Sequence, residues 1–568
     1  MKRFYTLMGM LLPAFIFAQI SFTSSITPDL SPYGEPTSYP GQGEYEIFLG
    51  NDNILDRPVI LVDGFDPGDT RDISTIYNSL TFNGSAGTEN LADLIRAEGF
   101  DIIVLNFPTY TRTADGASVD GGADFMERNA MLLVDLINQV NADKAANSPE
   151  QNVIIGASMG GIISKYALSY MEANALNADT RLYISFDAPH LGANVPIGLQ
   201  HQLNYLAFND TNAIAELQPL IDGFLKSPAA RQLLIDHFEP HLLEGSQVEF
   251  DPNATLPEPH PFRVQFESNL QSLTSNGFPE NVRNVAVVNG SGINAPYFAI
   301  GDSGDVVTNS YPILSTVQTI EVPTPFGNVT IDVEIDINMT PAAGVPDEVS
   351  RFFAPLLPLL LPNVESLASS GRPNFDGVDA APGGLFDLST LTDGIGSETG
   401  EAADFLAALA IDKFNFIPTV SALALEITNN EPDWFHDINL AGRATTDITP
   451  FDNTFIPDDN QPHVQLTNEN VTFTLNEILN STLTSEGLAI VPMTLARNPI
   501  EDVLVINTTQ TSDAIFRIYD LSGKEVLMQS VRLSASTELK VNALSSGFYI
   551  LNIVTEDQHM QNIKFLKQ

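Results

Sequence analysis

The sequence predicts an α/β fold: a doubly wound, mostly parallel sheet with a helical cap and β insertions, followed by a small C-terminal all-β sandwich module. Three observations predict it. Short β-branched runs such as Val153-Ile154-Ile155 alternate with helix-period segments across residues 56–485. One of these runs ends in Gly156-Ala157-Ser158-Met159-Gly160 and passes at once into a small-residue helix start. From about Arg497 onward the pattern changes to short alternating strands separated by turn residues.

Residues 1–18 read as a signal peptide. Lys2 and Arg3 are the charged start, Leu7 to Phe17 the apolar stretch, and Ala18 the small residue at its end. That stretch is too short to span a bilayer comfortably, and no later segment has the length. Residues 19–55 read as an N-terminal extension. The larger domain begins near Asp56, where Pro58 to Val62 form a buried strand ending in Asp63-Gly64-Phe65. Asp101 to Phe107 is the next strand, stopped by Pro108. Gly122 to Ala145 has helical periodicity through Phe125, Met126, Met131, Leu132, Leu136 and Val140. The strand at 153 and its helix follow, then strands at Arg181–Phe186 and Val282–Val288.

Insertions interrupt this pattern. Residues 196–280 read as a cap or lid, with Pro196 to Gly245 rich in apolar helix; a packed piece of core reads equally well. Further insertions fill 295–410. Ile313 to Met339 alternates as a β-hairpin does. Phe352 to Pro362 is the most apolar stretch after the signal peptide, suited to buried core or to an acyl-binding cleft.

Composition narrows the function classes. With 71 acidic against 25 basic residues the net charge is −46. Such a field repels nucleic acid and anionic membranes and favours solubility. The absence of cysteine excludes disulfides, thiolate metal sites and cysteine nucleophiles. No phosphate cradle, metal-ligand spacing or nucleotide fingerprint appears, so neither a cofactor nor a catalytic metal is implied. Loop carboxylates leave a structural calcium open. A monomer is the default state.

The Gly-x-Ser-x-Gly turn marks Ser158 as a candidate nucleophile, because a strand–turn–helix elbow lifts the hydroxyl above the sheet edge at the positive end of a helix. A serine needs a base, and the base an orienting acid. His463, in the polar loop Asn460-Gln461-Pro462-His463 before a helix that runs through Leu479, is the best base. His190 and His436 are rivals. Asp412 is the first choice of acid, Asp305 the second and Asp452 the third.

Three segments, Val62 to Pro67, Gly156 to Gly161 and Asp187-Ala188-Pro189-His190-Leu191-Gly192, resemble the α/β-hydrolase superfamily on its lipase and esterase side. The resemblance implies a Ser-acid-His order along the chain and an oxyanion hole from the backbone amides of Phe65 and Met159. It departs from the lipase pattern twice. Asp63 stands where a histidine usually precedes the glycine, and Phe414-Asn415 stands where Asp-Gly is usual. Residues 497–568 resemble the C-terminal sorting domain of the type IX secretion system of Bacteroidota, through Asn498-Pro499-Ile500, Phe516-Arg517-Ile518-Tyr519-Asp520 and Leu544-Ser545-Ser546-Gly547-Phe548-Tyr549. That implies the type IX machinery as partner, passage through the periplasm, and a secreted or cell-surface destination. The combined expectation is a serine hydrolase cleaving carboxylic esters, with an ester or lipid substrate. A peptidase or amidase of the same fold, and an inactive surface-binding protein on a hydrolase scaffold, are the alternatives.

Overall fold

Apolar β-branched runs become the central strands of an eight-stranded sheet. Its members are β1 (Ile20–Thr23), β2 (Gln42–Phe48), β3 (Pro58–Val62), β4 (Asp101–Asn106), β5 (Asn152–Ala157), β6 (Thr180–Phe186), β7 (Arg283–Val287) and β8 (Asn453–Phe455). They lie side by side in the order β1-β2-β4-β3-β5-β6-β7-β8. β2 runs antiparallel to both neighbours, and every pair from β4 to β8 is parallel. Every residue of β3 and β4 is buried, as expected for parallel strands covered on both faces.

The computed structural model describes residues 19–568 except 36, 86, 211–212, 255–256, 325–326, 356–362, 390–404, 426–431, 437, 439–448, 480–492, 509–510, 521–523 and 556–559. The predicted signal peptide lies outside the described residues. The chain forms two compact units that part between Ile478 and Leu479.

Residues 19–55 are not an extension ahead of the first unit; they supply β1 and β2. The segment between those strands is tied to helix α1 (Met126–Lys144). Arg128, fully buried, donates to both carboxylate oxygens of Asp124 at 2.7 Å and to the Tyr39 hydroxyl at 2.7 Å, and Tyr33 donates to Glu127. Helix α2 (Met159–Ala173) packs beside α1 beneath the same sheet.

The cap is built into the core. Helix α3 (Ile197–Phe208) is buried along almost its whole length, including Gln200, His201 and Asn204. It is covered by a four-stranded antiparallel sheet from Pro312–Thr324, Gly327–Asn338, Asp347–Ala354 and Val364–Ser370. The approach is close enough that a Cβ on Gly198 would stand 2.2 Å from the Val349 carbonyl oxygen. The apolar run from Phe352 is split: the Phe352 ring packs on Tyr205 of α3 at 4.9 Å, and residues 356–362 lie outside the described residues.

The second unit holds two antiparallel sheets. One is formed by Thr494–Leu495, Val503–Asn507 and Ser536–Lys540. The other is formed by Glu525–Arg532, Asp513–Asp520, Gly547–Thr555 and Met560–Lys567. Leu504, Ile506, Phe516, Ile518, Leu551 and Phe565 share a single core of their own, the period-2 burial of a small sandwich.

One buried cation in the first unit has a measurable consequence. Lys165 on α2 is 5% exposed, and its ammonium lies 3.8 Å from the centre of the Phe278 ring. Burial lowers its pKa from 10.5 to about 7, against the pull of Glu267 and with the push of Arg263. The unfolded chain therefore holds this proton up to about 10.5 while the folded chain releases it near 7. The burial penalty is full below pH 7 and fades as pH rises toward 10. Lys165→Met should raise stability by about 3 kcal/mol at pH 6 and by much less at pH 9.5. Denaturant unfolding at the two pH values checks this, and an equal gain at both would refute it.

Candidate active site

Ser158 closes β5 and opens α2 with φ 54° and ψ −128°. A non-glycine residue pays about 1–3 kcal/mol to sit there, and the surroundings hold it in place. The Ser158 N–H donates to the Phe186 carbonyl at 2.9 Å, and the Ser158 carbonyl accepts the Gly161 N–H at 3.0 Å. The helix start can cross the strand only because two flanking positions lack side chains. A Cβ on Gly156 would stand 2.4 Å from the Gly160 carbonyl oxygen, and one on Gly160 would stand 2.3 Å from that of Val62.

Asp187 is the first residue past β6 and is fully buried. Its N–H donates to the Val287 carbonyl at 2.7 Å, and its Oδ1 accepts the Asn289 N–H at 3.0 Å. Its Oδ2 lies 2.7 Å from Nδ1 of His463.

His463 lies on the loop between β8 and helix α4 (Asn468–Leu479). Asn289 pins that loop through its carbonyl oxygen, which accepts the Gln461 N–H at 2.8 Å, and through its side-chain amide, which donates to Gln461 Oε1 and to the Gln465 carbonyl. The His463 N–H donates to the Leu385 carbonyl at 2.8 Å, and the Phe416 ring meets the imidazole edge-on at 5.0 Å. Nε2 of His463 lies 2.8 Å from Ser158 Oγ. An ionised carboxylate only accepts hydrogen bonds, so Asp187 requires the proton on Nδ1. Nε2 is then free to accept from the serine hydroxyl.

The acid expected from the sequence is elsewhere. The Asp412 side chain is 47% exposed, and its Oδ2 accepts the Gly301 N–H at 2.7 Å. It stands just ahead of the strand Lys413–Pro418, before the stretch that reaches His463 through Phe416, and its backbone is held by the Ala299 carbonyl and the Leu388 N–H, each at 2.9 Å. Asp305 is exposed in a bend, and Asp452 accepts the Asn284 N–H at 2.9 Å at the opposite end of the parallel strands from Asp187. His190 is buried against Phe278 and Phe451, with Nε2 at 2.7 Å from Ser185 Oγ; burial holds its pKa well below the usual range. Asp187 carried one sequence signal, a carboxylate at the carboxyl end of an apolar parallel strand, where open α/β sheets collect their chemistry.

The segment Asp63-Gly64-Phe65 runs directly past the elbow. A Cβ on Gly64 would stand 3.1 Å from Ser158 Cβ and 3.7 Å from the Met159 nitrogen. Arg71 holds this segment, donating from Nη2 to Asp63 Oδ2 at 3.2 Å and to the Phe65 carbonyl at 3.0 Å. Asp63 is 8% exposed; burial raises its pKa and Arg71 opposes the rise. Among the described residues no group of three or more His, Asp or Glu side chains is arranged to hold a metal ion.

The first unit combines a mostly parallel sheet with a Gly-x-Ser-x-Gly elbow at the end of a central strand. No curated protein matches the chain in sequence. Among solved structures it is similar to the Bacillus licheniformis lipase BlEst2 in propeptide form, at 11% identity over 92% of this chain and 96% of that chain, with a TM-score of 0.26. It is also similar to XC6422 from Xanthomonas campestris, described as an a/b serine hydrolase without lid. That match has 15% identity over 32% of this chain and 65% of that chain, with a TM-score of 0.20. A third is an immunoglobulin-like β-sandwich protein from Bacteroides vulgatus, at 19% identity over 14% of this chain and 86% of that chain, with a TM-score of 0.13. Residues 498–568 match the family described as "Secretion system C-terminal sorting domain". That C-terminal segment is a type IX sorting domain, and it directs the chain through that machinery to the cell surface or the extracellular space.

Proposed function

We propose that the first unit is a serine hydrolase that cleaves carboxylic esters outside the cell. The observation that carries this reading is the unbroken chain from Asp187 through His463 to Ser158, with contacts of 2.7 and 2.8 Å. Ser158 Oγ attacks the ester carbonyl while His463 Nε2 takes its proton. Asp187, buried against the imidazole, keeps it in the right tautomer and stabilises the imidazolium that forms. The developing oxyanion is received by the backbone amides of Phe65 and Met159, each worth about 3 kcal/mol in a site of this kind. His463 then returns the proton to the leaving alcohol. It next activates the water that releases the acyl group, and Ser158 is regenerated.

Hydrolysis of nitrophenyl esters by the full-length chain tests the reading. Ser158→Ala should abolish turnover and labelling by a fluorophosphonate. Asp187→Asn should lower kcat by about 10³–10⁴-fold, because the amide favours the wrong tautomer. Asp412→Asn should change it less than about twofold. A folded wild-type chain that neither turns over nor labels would refute the proposal and leave a binding protein on a hydrolase scaffold.

Arg71 acts through Phe65, as a positioning residue. Arg71→Met should lower kcat about tenfold with KM little changed, since the lost restraint matters where charge develops on the oxyanion. Arg71→Lys should recover part of the loss. Steady-state kinetics of both variants decide this, and a pure KM effect would contradict it.

A further inference from the structure

Between the cap and the β insertions lies a cavity of about 10 Å³, room for about one water-sized particle. Its polar side chains are Asn194, Asp236, Thr340, Ser370, Arg372 and Asp379. Both carboxylates are buried, Asp236 at 4% exposure and Asp379 at 0%. Each has one oxygen committed. Asp236 Oδ1 accepts the Glu258 N–H at 2.8 Å and lies 2.9 Å from His241 Nε2. Asp379 Oδ2 accepts the Thr340 N–H at 2.8 Å. Among the described residues the other two oxygens, Asp236 Oδ2 and Asp379 Oδ1, have no hydrogen-bond partner. The Arg372 guanidinium lies over the Trp434 ring, 5.9 Å from its centre. Burial raises the Asp379 pKa to about 6; hydrogen bonds from Thr340 and Asn194 oppose the rise, and the Asp236 charge adds to it.

We propose that this cavity binds a calcium ion held between Asp236 and Asp379. Two buried carboxylates on one small cavity are unfavourable while their charge is uncompensated. A water molecule there satisfies lone pairs and leaves both charges standing, whereas a cation does both jobs at once. The lining offers oxygen donors and no histidine, which selects a hard cation over zinc or copper. A space for one particle has no room for the water shell that magnesium keeps, and calcium accepts carboxylate, amide and hydroxyl oxygens in flexible geometry. Asn194, Thr340 and Ser370 carry such neutral oxygens beside the two carboxylates. The ion joins segments far apart in sequence. Asp236 belongs to the cap, and its carbonyl accepts from Gln200 of α3 at 3.0 Å. Asp379 stands just ahead of the Gly383–Asp387 strand, and its carbonyl accepts the Tyr297 hydroxyl at 2.7 Å. The Asn194 N–H donates to the Phe416 carbonyl at 2.7 Å. The role is structural: a clamp between the cap and the strands behind the His463 ring.

The test is thermal unfolding of the chelator-treated full-length chain, with Ca²⁺ or Mg²⁺ added back. Calcium should raise Tm by about 3 °C or more and magnesium by much less. Terbium reports on the same site, because Tyr297 beside Asp379 sensitises its emission, and added calcium should remove that emission by displacement. Asp379→Asn and Asp236→Asn keep the side-chain shape, and each should abolish the calcium shift and the sensitised emission. With a net charge of −46, loose calcium binding elsewhere is the competing source. A shift or an emission that persists in both variants would overturn the assignment. So would a wild-type chain whose Tm ignores calcium and which sensitises no terbium, a result that needs no variant to fold. None of these readouts involves ester turnover, so a failure of the hydrolase reading registers separately.

Discussion

The structure turns on the edge where the parallel ladder ends. Hydrogen bonding does not stop with the last strand residues: Ser158 N–H reaches the Phe186 carbonyl, Asp187 N–H that of Val287, and Val288 N–H that of Phe455, at 2.9, 2.7 and 3.0 Å. Each of these bonds carries the sheet one residue past its regular end. They hold the serine, the aspartate and the start of the Val288-Asn289 segment at one level across four neighbouring strands. Asn289 then hands the same rigidity to the histidine loop through its bonds to Gln461 and Gln465. A side-chain relay with contacts below 3 Å follows from a backbone that was already aligned.

Two positive-φ residues are the local expense of that alignment. Ser158 at 54° and Asp187 at 46° both leave their strands with positive φ. The strain persists because the ladder bonds over-determine the backbone. The same logic explains the cap. Helix α3 is locked under the antiparallel sheet, where a Cβ on Gly198 would stand 2.2 Å from the Val349 carbonyl oxygen.

Much of this was legible in the chain. The strands at β3, β4, β5 and β6 announce themselves because parallel strands buried on both faces read as continuous apolar runs. The elbow is legible because its glycines are required by contacts of 2.4 Å or less. β2 was hidden: Gln42–Phe48 carries Glu44 and Glu46, and Glu44 points inward to accept from Asn106 Nδ2 at 2.9 Å, which spoils the apolar pattern. Asp187 was hidden for another reason. Asp187 sits beside a histidine in sequence, and His190 drew the attention. What selects Asp187 is the fall of the His463 loop onto it from 276 residues away, a relation that spacing does not carry. Asp412 looked plausible in one dimension, but it lies just ahead of the strand Lys413–Pro418, with its backbone bonded to Ala299 and Leu388.

The glycine at 384 completes the enclosure of the acid. A Cβ there would stand 2.1 Å from Asp187 Oδ2, so the Gly383–Asp387 strand can lie against the carboxylate only with nothing on that carbon. This makes part of the site invisible to experiments that work by deletion. An alanine scan trims atoms from the serine, the histidine and the aspartate, and their roles register as losses. At Gly156, Gly160 and Gly384 alanine adds an atom where the site is built from empty space, and the scan reports a damaged fold. The information in this sheet edge is written as much in missing side chains as in present ones, and only substitutions that add volume can read it.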